Sequence, residues 1–390
     1  MARKVKDNNI VSRNKRNKKI SIILSNYCSE EYLNEAVESV FKQDYTNIEL
    51  IITDDGSPNF KKSKVEKYIK ENKTTNISDV KYVINKENIG TVKTFNKALK
   101  EATGEYIMFF ACDDKLFDSS VISNFIKTFD EKKDVNVVTS NWILCDSNLN
   151  RIGHYQKPRD LKRFNNKKVK KQYKKLCKIN IYGAGSTCYR RCIFEKYGFF
   201  DEKYFLLEDW PYWVMLTKNN ERIYYSDFDS LLHRSGGVST TANAKEAKMH
   251  FCNDILTLFA EDIVPYIDSF DSTARFEILD AYKHYIKEYS SVVDTSKYKQ
   301  IVLDYYKKHC VKKYLDDVRP NFIKKYKILI RRNKVVPVTF FIEILMLFLV
   351  NNLTKLFNNR LVILPFIIIT YIILFYIVCT LSAIKEKRSN

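Results

Sequence analysis

The chain has 390 residues, of which 45% are hydrophobic and 14% aromatic, enough for a sizeable core; this excludes a disordered or low-complexity protein. Nine glycines and seven prolines are too few for a fibrous or loop-dominated chain. The formal net charge of +20 is regional: residues 1–19 hold eight Lys or Arg against one acid, 157–178 eleven against one, and 307–334 eleven against two.

Taken in order, the soluble part alternates two kinds of element. Lys19–Ser25 is a short run rich in β-branched residues, the pattern of a buried parallel strand. Residues 30–43 place Leu33, Ala36, Val37, Val40 and Phe41 at helical spacing. Glu49–Thr53 reads as a second strand, stopped by the turn cluster Asp54-Asp55-Gly56-Ser57-Pro58. A helix over 61–72, a strand over 80–84, a helix over 91–102 and a strand over 106–110 follow. Asp113-Asp114 comes directly after. Residues 121–129 read as a helix and 135–140 as a strand. This βαβαβαβαβ order predicts a doubly wound, mostly parallel sheet, whose ligands bind at the carboxyl edge of the strands.

Beyond the sheet, 157–178 is a basic stretch, either a loop approaching anionic lipid or a diphosphate, or a solvated helical face. Residues 241–334 predict several helices, among them 245–259 and 276–289. Residues 335–350 are apolar but carry Glu343. Residues 361–384 contain no charge and as a helix would span ~36 Å, against a hydrocarbon core of ~30 Å. A transmembrane helix is expected there. Basic residues flank both segments, so both flanks are expected in the cytoplasm. That favours a membrane surface over nucleic acid as the partner of the basic tracts. The nine scattered cysteines contain no CxxC pair, which predicts a reducing compartment, and no secretory signal is expected.

Two carboxylate pairs at equivalent strand ends need a chemical account. Asp-Asp-Gly is also a common turn, so each pair alone is weak. Clustered aspartates repel unless a cation or hydrogen-bond donors neutralise them. A hard divalent ion, held by one or two carboxylates with phosphate and water completing its shell, would do so. No GxGxxG follows the first strand and no GxxxxGK[ST] occurs, so a dinucleotide dehydrogenase and a P-loop NTPase lose their main support.

Residues 20–57, Asn88-Ile89-Gly90, Gly104–Ile107 and Asp113-Asp114 resemble the opening half of the GT-A glycosyltransferase family 2. Gly183–Tyr189, Arg190-Arg191, Gly198–Glu202, Glu208-Asp209 and His233–Ser239 resemble its second half. The likeness covers about 20–240. It implies a GT-A fold and a nucleotide-sugar site containing Tyr27, Asp54, Asp55, Asn88, Gly90, Asp113, Asp114 and Arg234. By resemblance, Tyr27 packs on the base, Asp54 reads the base edge, and Asp55 lies near the ribose. Asp113 and Asp114 match the turn that carries the divalent ion (Mg²⁺ or Mn²⁺). Asp209 matches the catalytic base, Glu208 would orient the acceptor, and Arg234 could face the leaving diphosphate. The chain departs from the pattern at Ala111, where an acid is usual, and at Ser25, Cys28 and Phe95. Metal binding is therefore expected to rest on Asp113, with Asp114 assisting.

His233 reads as a hydrogen-bonded structural histidine ahead of a further metal ligand. Cys188 and Cys192 read as buried thiols. Tyr182, Trp210, Tyr212 and Trp213 could be a sugar-stacking platform or core. The expected protein is a membrane-attached, inverting, metal-dependent glycosyltransferase with a basic tail over 1–19, a GT-A domain over 20–240 and a helical connection over 241–334. Membrane segments over 335–384 and a short tail over 385–390 would follow. It would move a sugar from a UDP-linked donor to a lipid-linked saccharide in cell-surface polysaccharide synthesis. Polyprenyl phosphate as acceptor, or a non-catalytic scaffold retaining the fold, are the alternatives.

Overall fold

The computed structural model describes residues 18–235 and 245–309. The chain divides into two units, Met1–Lys307 and Lys308–Asn390, and almost all described residues belong to the first. Its strands are β1 (Ile20–Asn26), β2 (Ile48–Asp54), β3 (Ile77–Ile84), β4 (Tyr106–Ala111), β5 (Lys115–Leu116), β6 (Val137–Cys145), β7 (Arg151–His154), β8 (Thr187–Arg190) and β9 (Ile223–Arg234). The helices between them are α1 (Glu30–Phe41), α2 (Lys62–Asn72), α3 (Thr91–Glu101), α4 (Val121–Glu131), α5 (Pro158–Lys162), α6 (Val169–Leu176), α7 (Cys192–Tyr197) and α8 (Asp209–Lys218). Three more follow: α9 (Lys245–Thr257), α10 (Ser272–Tyr289) and α11 (Ser296–His309).

The sheet runs β3-β2-β1-β4-β8-β6-β9-β5, with β7 added on β6. β3, β2, β1 and β4 are parallel, as the alternating pattern requires, and β6 runs parallel to β9. The expectation of a mostly parallel sheet is corrected at β8. This four-residue strand inserts antiparallel between β4 and β6, pairing Met108 with Cys188 and Val138 with Cys188. Antiparallel β5 and β7 complete a mixed sheet. A strand as short as β8, entered from the single turn at Ala184–Ser186, has too little length to show a period in sequence.

Pleating sorts the strand residues onto two faces. Ile20, Ile22 and Leu24 of β1 pack with Leu33, Val37 and Val40 of α1 and with Phe125 and Phe129 of α4. Ile23 and Ile51 face the other way, toward Val92, Phe95 and Ala98 of α3 and the aromatic cluster around Trp213, Phe259 and Tyr282. Because both faces of β2 are covered, all seven of its residues are buried, including Glu49. Tyr182, Trp210, Tyr212 and Trp213 are all core residues, which leaves them unavailable as a stacking platform. Cys188 is buried as expected; Cys192 is exposed, because it opens α7 at the surface. The basic 157–178 stretch holds α5 and α6, anchored by buried Leu161, Phe164, Tyr173 and Leu176.

Glu49 shows how a charge survives in this core. Burial alone would raise its carboxyl. Donation from Ser21 Oγ, Thr103 N (2.8 Å) and Thr103 Oγ1 (2.8 Å), with the Lys81 ammonium at 2.9 Å, outweighs burial and brings it down to about 2. A carboxyl depressed in the folded state contributes stability above its unfolded value near 4.5, and that contribution is lost as pH falls from there toward 2. Glu49→Ala is therefore expected to cost about 3 kcal/mol at pH 7, the low end for breaking a buried pair because Lys81 can still reach water. Urea unfolding at pH 7 and pH 3 should show the difference shrinking at the lower pH.

Among the described residues, no helix is long and apolar enough to cross a membrane. The expected membrane segments at 335–384, the tails at 1–17 and 385–390, and Gly236–Ser239 of the closing loop lie outside the described residues.

Candidate active site

Parallel strands deliver polar residues to one edge: Asn26 ends β1, Asp54 ends β2, Asp113 and Asp114 follow β4, and His233 and Arg234 end β9. Three groups of side chains form there.

The first is built on the β2 turn. Asp54 accepts from Asn26 Nδ2 (2.7 Å), Ser57 Oγ (2.6 Å) and Ser57 N (3.0 Å), and is 1% exposed. Asp55 accepts from Asn85 Nδ2 (2.9 Å), Thr94 Oγ1 (2.9 Å), Ile89 N (3.0 Å) and Gly90 N (2.9 Å). Both carboxylates are thus committed to the fold. Asp54 closes its own turn, and Asp55 builds the 85–94 loop. The turn also needs Gly56: at φ +76°, a Cβ there would meet the Glu87 carbonyl carbon at 2.3 Å. Asn88 is exposed and its Oδ1 accepts from Gly90 N at 3.0 Å. Tyr27 is 43% exposed, and the amide of the next residue, Cys28, donates to Ser57 Oγ of this turn at 2.8 Å.

The second group follows β4. Asp114 Oδ1 accepts from His233 Nδ1 (2.8 Å) and Arg234 N (3.2 Å). Burial would lower the His233 imidazole, but this bond and the charges of Asp114 and Asp113 outweigh it and raise it, as a structural histidine beside a carboxylate should behave. Arg234 donates from Nε to Asp113 O (3.0 Å), from Nη2 to Glu35 (2.7 Å) and from Nη1 to Ser147 O, and lies over the Tyr32 ring. The guanidinium therefore ties β9, α1 and the β4 turn together. Asp113 differs. It is half-buried, no side chain of another residue donates to its carboxylate among the described contacts, and burial followed by the Asp114 charge pushes it up to about 6. An uncompensated carboxylate beside a second one is a donor set suited to a hard cation that takes its other ligands from phosphate and water. Among the described residues no cluster of three or more His, Cys, Asp or Glu could hold a metal, so protein ligation would rest on this pair.

The third group opens α8. Asp209 is its first helical residue and Glu208 its cap. Asp209 accepts from Asn180 Nδ2 at 3.2 Å and from Trp210 N, yet burial outweighs both and pushes its carboxyl up to about 6. Glu208 is driven well above its ordinary value, by burial first, then by Asp209 and Asp254. A buried carboxylate whose pKa is pushed up to about 6 is suited to general-base work.

Trp142 on β6 joins the second and third groups. Its ring meets His233 edge-on at 4.5 Å and stacks on Tyr155 at 4.5 Å. Burial and then the Asp209 charge raise the Tyr155 phenol. Gly183 lets Trp142 approach, since a Cβ there would lie 2.2 Å from the indole. The sequence named neither Trp142, Tyr155 nor Asn180. Trp142 sits in an ordinary strand pattern, Asn180 in a connection, and no spacing marks them.

Residues 21–198 match the family model described as Glycosyl transferase family 2. An uncharacterized glycosyltransferase of Haemophilus influenzae is 28% identical over 144 residues, covering 36% of this chain and 42% of the relative, so the match spans under half of that protein's length. The UDP-Glc:alpha-D-GlcNAc-diphosphoundecaprenol beta-1,3-glucosyltransferase WfgD of Escherichia coli is 26% identical over 246 residues, covering 62% of this chain and 87% of the relative. Among solved structures, a mannosyltransferase of Pyrobaculum calidifontis in complex with GDP-Man and Mn²⁺ superposes with a TM-score of 0.50 at 14% identity, covering 77% of this chain and 83% of that one. This last likeness concerns the fold.

Proposed function

We propose, from the match of residues 21–198 to the model of glycosyl transferase family 2, that the chain is an inverting, divalent-metal-dependent transferase that moves a sugar from a UDP-linked donor to a lipid-linked saccharide. The observation that carries the mechanism is Asp209: a buried carboxylate at a helix start, oriented by Asn180 and poised near neutrality.

The chemistry follows from where charge develops. As the acceptor hydroxyl attacks the anomeric carbon, Asp209 takes its proton while the bond from that carbon to the diphosphate oxygen breaks. Such a single displacement inverts the anomeric centre. Glu208, whose carboxyl burial and its neighbour drive well above the ordinary value, would orient the acceptor by a hydrogen bond. Asp113, with Asp114, would hold the divalent ion, which supplies positive charge for the departing diphosphate. Tyr27 offers its exposed ring to the base. Asp54 and Asp55 act on the donor through the turn and loop that they shape. Trp142 and Tyr155 wall the space between the two carboxylate groups.

A lipid-linked acceptor suits a chain with the uncharged 361–384 segment, and the Escherichia coli relative is named for transfer to a diphosphoundecaprenol-linked sugar. We place the catalytic domain on the cytoplasmic side, anchored by that segment. The test is to incubate the detergent-purified full chain with UDP-, GDP- and dTDP-sugars and Mg²⁺ or Mn²⁺, following nucleoside diphosphate release. Release from a UDP-sugar is expected; no binding or turnover with any nucleotide sugar would contradict the reading.

A further inference from the structure

The backbone that leads into Glu208 and Asp209 is clamped by a residue outside the family-matched segment. Asp254 lies on α9 and is 6% exposed. Its carboxylate accepts from three consecutive amides: Phe205 N at 3.1 and 3.0 Å to its two oxygens, Leu206 N at 2.7 Å and Leu207 N at 3.0 Å. One α9 turn earlier, the His250 ring stacks on the Phe205 ring at 4.0 Å. On the opposite side Phe205 O accepts from Val92 N at 3.3 Å and fills the space that a Cβ on Gly90 would need, 2.5 Å away.

Together these contacts restrict three consecutive residues, Phe205, Leu206 and Leu207, with Phe205 held from every side named. Three amides aimed at one carboxylate fix consecutive backbone dihedrals, which ordinary loop packing does not. Burial raises the Asp254 carboxyl and the three amides oppose it, so the cluster has a use for the charge. The Gly90 contact joins the clamp to the Asp55-held loop, linking the donor side of the cleft to the start of α8.

We propose that Asp254 is a positioning residue for glycosyl transfer: by fixing the backbone of 205–207 it sets where Glu208 and Asp209 stand toward the acceptor. The role in turnover rests on the transferase reading; the clamp itself does not. A displacement of about 1 Å at a reacting group can cost on the order of 100-fold in rate. Asp254→Asn keeps one acceptor oxygen and turns an NH₂ toward the amides. It is expected to lower kcat about 10- to 100-fold, with donor KM and donor-binding stoichiometry changed less than about twofold. The unchanged stoichiometry separates this result from partial unfolding, which would remove donor sites in proportion.

Amide hydrogen exchange of the full chain supplies the second measurement. The 205–207 amides should exchange as slowly as strand amides in the wild type, and at least about tenfold faster in Asp254→Asn. Wild-type exchange at open-loop rates overturns the clamp without any variant. A folded Asp254→Asn protein with normal kcat, alongside an Asp209→Asn protein that has lost transfer, overturns the positioning role alone. A wild type that transfers no sugar removes the transferase reading, and exchange then decides the clamp.

Discussion

Asp209→Asn is expected to lower turnover by about two to four orders of magnitude, the range for losing a general base, with nucleotide-sugar affinity nearly unchanged. The residue opens α8 and is bonded to Asn180, sharing no hydrogen-bond partner with Asp54 of the β2 turn among the described contacts, so removing its charge leaves that turn's contacts in place. The pH dependence has a definite sign. The base must be ionised to accept a proton, and burial holds its carboxyl up to about 6. Wild-type turnover should therefore fall as pH drops through about 6, roughly tenfold per unit below it. Folding should move the opposite way. An aspartate whose folded value lies above its unfolded one of about 3.8 destabilises the native state at neutral pH, and the penalty disappears as pH falls below both values. The Asn variant should be more stable than wild type at pH 7 by on the order of 1 kcal/mol, with the gain shrinking toward pH 4. Donor titration, a pH–rate profile and thermal melts check the three parts. Near-normal transfer by the variant would move the base to Glu208.

The second large effect concerns the divalent ion. Chelator is expected to abolish transfer and Mg²⁺ or Mn²⁺ to restore it. Asp113→Ala should lose about 10³-fold with no recovery at high metal concentration, since charge neutralisation at a leaving phosphate is worth several kcal/mol. The motive is geometric. Asp114 is committed to His233 and the Arg234 amide, and Arg234 is committed to Glu35, Ser147 and the Asp113 carbonyl. Asp113 is left as the carboxylate at this turn without a compensating side-chain partner among the described contacts, and Ala111 beside it supplies nothing. Full activity in chelator would contradict this and place the diphosphate charge on basic side chains.

The parallel half of the sheet was legible because β1, β2 and β4 are buried on both faces and so read as continuous apolar runs. The helix α1 showed itself through Leu33, Ala36, Val37 and Val40, which share one face. The antiparallel insertion of β8 did not show, since four residues carry no period and their pairing is a long-range choice. Sequence put Asp54, Asp113 and Asp114 at the ends of β2 and β4, where the structure has them, but did not show which partners each acid takes. Asp54, Asp55 and Arg234 look alike in a motif whether they face ligand or loop; only the partners Ser57, Asn85, Thr94 and Glu35 distinguish these cases. Asp254 was invisible for a related reason. It is one acid in an ordinary helical segment, and its meaning comes from three amides about fifty positions earlier in the chain.

The stereochemistry of the product tests the central claim most directly. A single displacement assisted by Asp209 must convert an α-linked nucleotide sugar into a β-linked product. The full chain, given its UDP-sugar, a divalent ion and a lipid-linked saccharide, should yield a product whose anomeric proton shows the β configuration by NMR. A product that keeps the α configuration would contradict the account, because no single attack with Asp209 as base can retain it.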